Sequence, residues 1–257
     1  LPSTPPGGRS ALPRHPRPPA APRKEPPLKT LAQDDPLVRV LLSFHTMSQR
    51  HKAALDPYLD VEGYVAEVDG YQRAHTRRQR TDALEAHEFL GHAMAVLARR
   101  YILPEGLAVT VPGADGTSYD LTTGQPDEAA VEAFTSGQCH AFARALSERF
   151  GWSMAVLAET ECRLDPDLCS FEDTVGGVCA CQLSHVVAVR PDGAHVDITG
   201  VYLPGTVPFH EDDEVVVVTD AVWSHLTRAP GWRRPAIEIA HTFVDPALAA
   251  FGTRTDG

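Results

Sequence analysis

The chain has 257 residues, 43% of them hydrophobic and 22% charged, the composition of an ordinary globular protein with material for one large domain or two small ones. Its net charge of −11 is unevenly placed: residues 1–28 carry +4, which leaves −15 on the rest. So acidic a body repels phosphate backbones, which argues against a nucleic-acid partner. No apolar run approaches the roughly 18–20 residues that a bilayer-crossing helix needs, which argues against a membrane partner.

Ten of the 22 prolines fall within residues 1–28, among Gly, Ala, Ser and Arg. That mixture buries too little apolar surface to offset its chain entropy, so residues 1–33 are expected to form a disordered tail or linker. These first residues also lack the apolar segment of a signal peptide. An opening on Leu1 leaves room for a removed targeting segment, so secretion or delivery into a target cell is compatible with the sequence. Localisation and oligomeric state are left open.

Residues 34–104 read as a helical region. Pro36 stands near a helix start, and Leu37, Val40, Leu41, Phe44, Met47 and His51 recur at steps of three and four. A second helix is expected over 61–78. A third follows the capping-box pair Asp82 and Glu85, with Leu84, Leu90, Met94, Leu97 and Tyr101 on one stripe and an end before Pro104. His87, Glu88 and His92 do not make a metalloprotease pattern, because a five-residue step swings the two rings about 140° apart on a helix. His87 falls on the apolar stripe as a core histidine.

From about residue 105 to 250 the pattern is mixed, and residues 251–257 read as a flexible end. Short strands are expected at 107–111 and 119–122 around Gly113, Asp115 and Gly116. A helix capped by Thr135 or Ser136 then buries Phe142, Ala145 or Leu146, and Phe150, and stops near Gly151. Cys139 lies in its first turn. There the helix dipole and unpaired N–H groups favour a thiolate, and the same groups suit an oxyanion on an attacked acyl carbon. Gly137 just ahead lets a substrate approach the backbone.

Such a nucleophile needs a base, and the base an orienting group. Two alternating segments flank Pro191-Asp192-Gly193, which fits a three-residue hairpin loop with Gly193 in the left-handed position. That loop sets Arg190 opposite Ala194, Val187 opposite Asp197 and His185 opposite Thr199. His185 and Asp197 become diagonal neighbours on one face, within hydrogen-bond reach. His195 is read as a surface or supporting residue. Cys139 is thus the candidate nucleophile, His185 the general base and then acid, and Asp197 the group that orients it.

Gly137-x-Cys139 opening an Ala-rich helix, His185 leading an apolar strand and Asp197 on the next strand resemble the Cys-His-Asp order of the transglutaminase-like branch of the papain-like superfamily. The resemblance covers about residues 130–205. It implies an α+β fold in which the helix bearing Cys139 packs on an antiparallel sheet bearing His185 and Asp197. It further implies acyl transfer from a protein or peptide amide through a thioester, with no cofactor and no metal in the site. Peptidases, amidases, deamidases and amide-forming acyltransferases belong to this group, and several bacterial toxins and effectors resemble it. Papain-like peptidases place an oxyanion Gln several residues before the nucleophile, whereas Gln138 adjoins Cys139, so Gln138 and Gly137 are carried only as oxyanion- or substrate-adjacent residues. The alternative is a catalytically inactive binding or regulatory module on the same fold.

Cys162, Cys169, Cys179 and Cys181 crowd into 20 residues, spaced C-x6-C-x9-C-x-C, while Cys139 stands apart. Zinc, a disulfide or unlinked thiols all suit this loop-like stretch. Beyond Gly200, strands are expected at 215–218 and 236–240, a helix around Trp223, and a solvated acidic loop at 211–214.

Overall fold

The computed structural model describes residues 28–59, 85, 89–94, 96–98, 100–162, 174–228 and 232–253. In chain order they form β1 (Lys29–Thr30), α1 (Pro36–Leu59), helical stretches over 89–94 and 96–98, β2 (Tyr101–Ile102), β3 (Ala108–Pro112), β4 (Ser118–Thr122), α2 (Glu128–Thr135) and α3 (Cys139–Phe150). There follow β5 (Ser153–Ala158), β6 (Thr174–Val175), β7 (Val178–Cys179), β8 (Leu183–Val189), β9 (His195–Val196), β10 (Val201–Tyr202), β11 (Glu214–Val217), α4 (Asp220–Arg228) and α5 (Ile237–Thr253). The protein is a mixed α+β structure. No helix among the described residues is long and apolar enough to cross a membrane.

The central sheet has the order β10-β9-β8-β5-β11, and every neighbouring pair is antiparallel. Its two middle strands, β5 and β8, are buried along most of their length and read as near-continuous apolar runs. Helix α3 packs between β8 and α5. Ala141 and Ala145 on α3 are fully buried, small side chains that let neighbouring elements approach closely. Phe134 meets Phe142 and Phe243 in tilted ring contacts, with centroids 5.6 and 5.2 Å away, joining α2, α3 and α5. Gly151 ends α3 in the left-handed conformation, as its position after the last helical residue predicts.

The start of the chain departs from expectation. Leu31 is 3% exposed and belongs to the same apolar core as Phe134, Phe142 and Phe243, and β1 pairs in parallel with β2. The packed body therefore reaches into the segment expected as tail. Val38, Leu41, Met94 and Leu103 also join this core, so the described parts of 34–104 share it with the sheet-bearing half.

Helix α1 starts at Pro36 as predicted, yet its inward stripe is Val38, Leu41, His45, Ser48 and Lys52, while Val40 and Met47 face outward. Polar residues occupy the inner face because His45 pairs there with Glu238 of α5 and bonds the Thr110 carbonyl at 3.1 Å. Hydrophobicity alone therefore mis-set the stripe by about one residue. Tyr101 lies in β2 rather than on the preceding helix. The expected helix over 61–78, the cap at Asp82 and the placement of His87 fall outside the described residues.

The strand expected at 236–240 is the first turn of α5. Ala236, Ile239, Ala240, Phe243, Val244 and Ala247 are buried at helical spacing, and the short alternation Ala-Ile-Glu-Ile-Ala is only a fragment of it. The strands expected near β3, β4 and β11, and the helix bearing Trp223, are present.

Candidate active site

Cys139 is the first residue of α3, directly after the N-cap Gln138. Neither Thr135 nor Ser136 caps this helix: Thr135 ends α2, and Ser136 is its C-cap. The junction is tight. Gly137 has φ of +106°, and a Cβ there would stand 2.5 Å from Ala114 N. Gly137 thus serves the close approach of the 113–114 backbone.

Gln138 belongs to the same junction. Its side chain is fully buried, with Nε2 donating to the carbonyls of Pro112 at 2.9 Å and Arg234 at 3.3 Å, and Oε1 accepting from Ala236 N at 2.9 Å. It clamps β3, α3 and the lead into α5, and these bonds occupy the amide that an oxyanion donor would have to offer. The carbonyl of Gln138 takes the N–H groups of Ala141 and Phe142. The amides of Cys139 and His140 come before these, at the positive end of the helix, where no turn precedes to supply intrahelical acceptors.

The hairpin register matches the expectation drawn from its loop. Ala188 pairs with Val196 and Val189 with His195, Arg190 N–H donates to Ala194 O at 2.9 Å, and Gly193 has φ of +86°. The ladder is shorter than expected, since β9 ends at Val196 and the chain turns. Asp197 sits in that turn, where its Oδ1 accepts from Thr199 N at 2.7 Å and Thr199 Oγ1 at 2.6 Å. Its other oxygen accepts from His185 Nε2 at 3.1 Å. A bulge in β8 opposite Leu157 and Ala158 inserts Ser184 just before His185 and shifts the register there.

His185 therefore gives Nε2–H to Asp197, and Cys139 is the second group that acts on its imidazole. Burial pushes the Cys139 thiol up, but the imidazoles of His140 and His185 beside it outweigh burial and bring it down to about 5. Burial lowers His185, yet its bonds to Asp197 and Cys139 and their charges raise it to about 10. Burial pushes Asp197 up, and the bonds from His185 and Thr199 hold it below the usual carboxylate range. The arrangement favours a thiolate–imidazolium pair over the neutral pH range.

Two histidines that sequence reasoning passed over flank this pair. His140 is fully buried, donates Nε2–H to Arg233 O at 2.7 Å, and keeps a buried Nδ1 without a hydrogen-bond partner. Its adjacency to Cys139 in sequence was the available signal. His210 stacks face to face on His185, with centroids 5.0 Å apart and an 8° interplanar angle, and bonds Asp213 at 2.7 Å. Asp213 also accepts from Ser184 Oγ at 3.0 Å, so the acidic run at 211–214 is not merely a solvated loop. His195, read as a surface or supporting residue, is buried, and burial lowers its pKa.

A cleft of about 460 Å³ opens onto His185 and Asp197, walled by Thr199, Tyr202, Pro208, Phe209 and His210 together with Val131 and Thr135 of α2. Phe209 stands 94% exposed at this cleft with φ of +68°, the one non-glycine residue with positive φ among those described. Cys139 is 3% exposed and packs in a separate apolar cluster with Met154, Val186 and Val216, against which Val175, Val178, Trp223 and Trp232 lie. Comparison with protein-family models, curated proteins and solved structures finds no match.

Proposed function

We propose that the protein is a cysteine-dependent acyl-transfer enzyme acting on an amide of a protein or peptide, in the manner of the transglutaminase-like branch of the papain-like superfamily. The observation that supports this reading is His185 bonded to Asp197 at 3.1 Å together with Cys139 opening a helix, and the neighbouring imidazoles lower that thiol. In the reaction, the Cys139 thiolate attacks the amide carbonyl carbon and forms a C–S bond. The first amides of α3 stabilise the oxyanion. The C–N bond then breaks as the His185 imidazolium gives its proton to the departing amine, leaving a thioester. His185 next takes a proton from water or an amine, which attacks the thioester; the C–S bond breaks, Cys139 leaves as the thiolate, and the proton stays on His185, which restores the starting pair. Asp197 keeps the imidazole in the required tautomer and orientation throughout.

The closed position of Cys139 favours a second reading, a binding or regulatory module that keeps the arrangement without turnover. Limiting iodoacetamide at about pH 6, read by intact mass and peptide mapping, separates the two. The enzyme reading expects one adduct, on Cys139, and loss of that adduct in Cys139→Ala. Labelling of Cys139 no faster than of the other cysteines supports the module instead.

A further inference from the structure

The cysteines outside the site already described converge in space. The Sγ atoms of Cys162, Cys179 and Cys181 all lie within 4.8 Å of one another, with Cys179 and Cys181 3.2 Å apart. Tetrahedral zinc with Zn–S bonds of about 2.3 Å sets its thiolates roughly 3.8 Å from each other, a spacing within reach of a cluster this tight. Cys162 follows the exit of β5, whereas Cys179 ends β7 and Cys181 sits in the short turn before β8, so three thiols arrive from two chain segments.

A second observation fixes the position of one sulfur in the cluster. The Cys179 sulfur accepts the backbone N–H of Gln182, which orients it beside its neighbours. The Gln182 side chain in turn takes Cys179 N–H at 2.9 Å and donates to Glu159 O at 2.6 Å, which ties the two segments together beside the sulfurs. A disulfide would engage two thiols of the three; a soft divalent cation engages all of them.

We propose that Cys162, Cys179 and Cys181 form a structural zinc site that staples the β6–β7 hairpin to the exit of β5. On binding, each thiol releases its proton to solvent, and the three thiolates supply three corners of the coordination sphere. The hairpin so held carries Val175 and Val178 against the apolar cluster that contains Cys139, so the ion also fixes one wall over that thiol. The site stands whether or not Cys139 is a nucleophile.

The test is metal analysis of the full chain purified under reducing conditions, with Cys139→Ser as a control that retains metal. About one zinc per chain is expected, and Cys179→Ser or Cys181→Ser should weaken binding by more than the roughly 10–100-fold that loss of an outer-sphere partner costs. Cobalt substitution in the unaltered chain gives a readout that does not require the variants to fold: thiolate-to-cobalt charge-transfer bands in the near ultraviolet are expected. Removing zinc with a chelator should speed amide hydrogen exchange over residues 174–182. No stoichiometric metal in the reduced chain, metal kept by both serine variants, cobalt spectra without thiolate bands, or exchange unchanged by chelation would each overturn the proposal.

Discussion

At the scale of single residues, the balance at Cys139 sets a pH window. With the thiol at about 5 and His185 at about 10, the thiolate–imidazolium pair stands between those values. Labelling of Cys139 by a small uncharged alkylator should rise through about pH 5 and hold a plateau toward pH 10, whereas an ordinary thiol titrates near 8.5. His185→Ala removes the cation, so the inflection should move up toward that ordinary value. Labelling at pH 6 should then slow by about tenfold, the loss of thiolate being partly offset by the greater nucleophilicity of a more basic sulfur. Asp197 and His185 also link stability to pH. The lowered Asp197 contributes stability that is present above about 3.8 and lost as pH falls through its folded value; the raised His185 contributes stability that is full below about 6.5 and lost as pH rises through about 10. Melting temperature measured against pH should therefore fall at both ends, and Asp197→Asn should remove this residue's share of the acid-side fall.

At the scale of elements, the α2–α3 junction and the face of α1 are where single substitutions should cost most. Gln138→Ala leaves Ala236 N–H and the Pro112 carbonyl without their partner in a buried seam, a loss of about 3 kcal/mol in chemical denaturation. Gly137→Ala forces a Cβ into the 113–114 backbone at positive φ and should destabilise by more than about 1 kcal/mol. On α1, the bond to Glu238, the charge of Glu238 and the Thr110 carbonyl outweigh burial and raise His45. His45→Ala takes the hydrogen-bonded imidazole from the buried Glu238, leaving it the Arg234 charge nearby, and should cost about 3 kcal/mol. Because His45 is raised, its contribution is full below about 6.5 and declines as pH climbs through its folded value, so the penalty of His45→Ala should shrink in alkaline buffer.

At the scale of the whole molecule, one apolar core runs from Leu31 and α1 through α2 and α3 to α5. Removing residues 1–27, whose composition cannot build a core, should leave the melting temperature unchanged. Extending the deletion through Leu31 takes away β1 and a buried leucine, and should lower melting by roughly 5–10 °C in calorimetry. A drop on removing 1–27 alone would show that this segment contributes to the folded body.

The local chemistry of the chain was legible without coordinates wherever a short segment carried its own constraint. Pro191-Asp192-Gly193 fits one loop geometry, and that loop sets the pairing of Ala188 with Val196 and Val189 with His195, from which the following turn brings Asp197 onto His185. Pro36 and Gly151 likewise announce a helix start and stop, because fixed φ and positive φ are properties of single residues. Long-range pairing was not legible. Nothing local says that Gln138 will spend its amide on Pro112, Arg234 and Ala236, that His45 will turn inward to Glu238, or that His210 will lie flat on His185. Those contacts join residues up to 193 positions apart and exist only once several elements have packed. Hydrophobic patterning failed at α1 for the same reason, since a polar residue is buried when a distant partner satisfies it. Sequence determined which residues were chemically able to act; tertiary packing decided which of them face each other, because desolvation and hydrogen-bond satisfaction are settled between segments rather than within one.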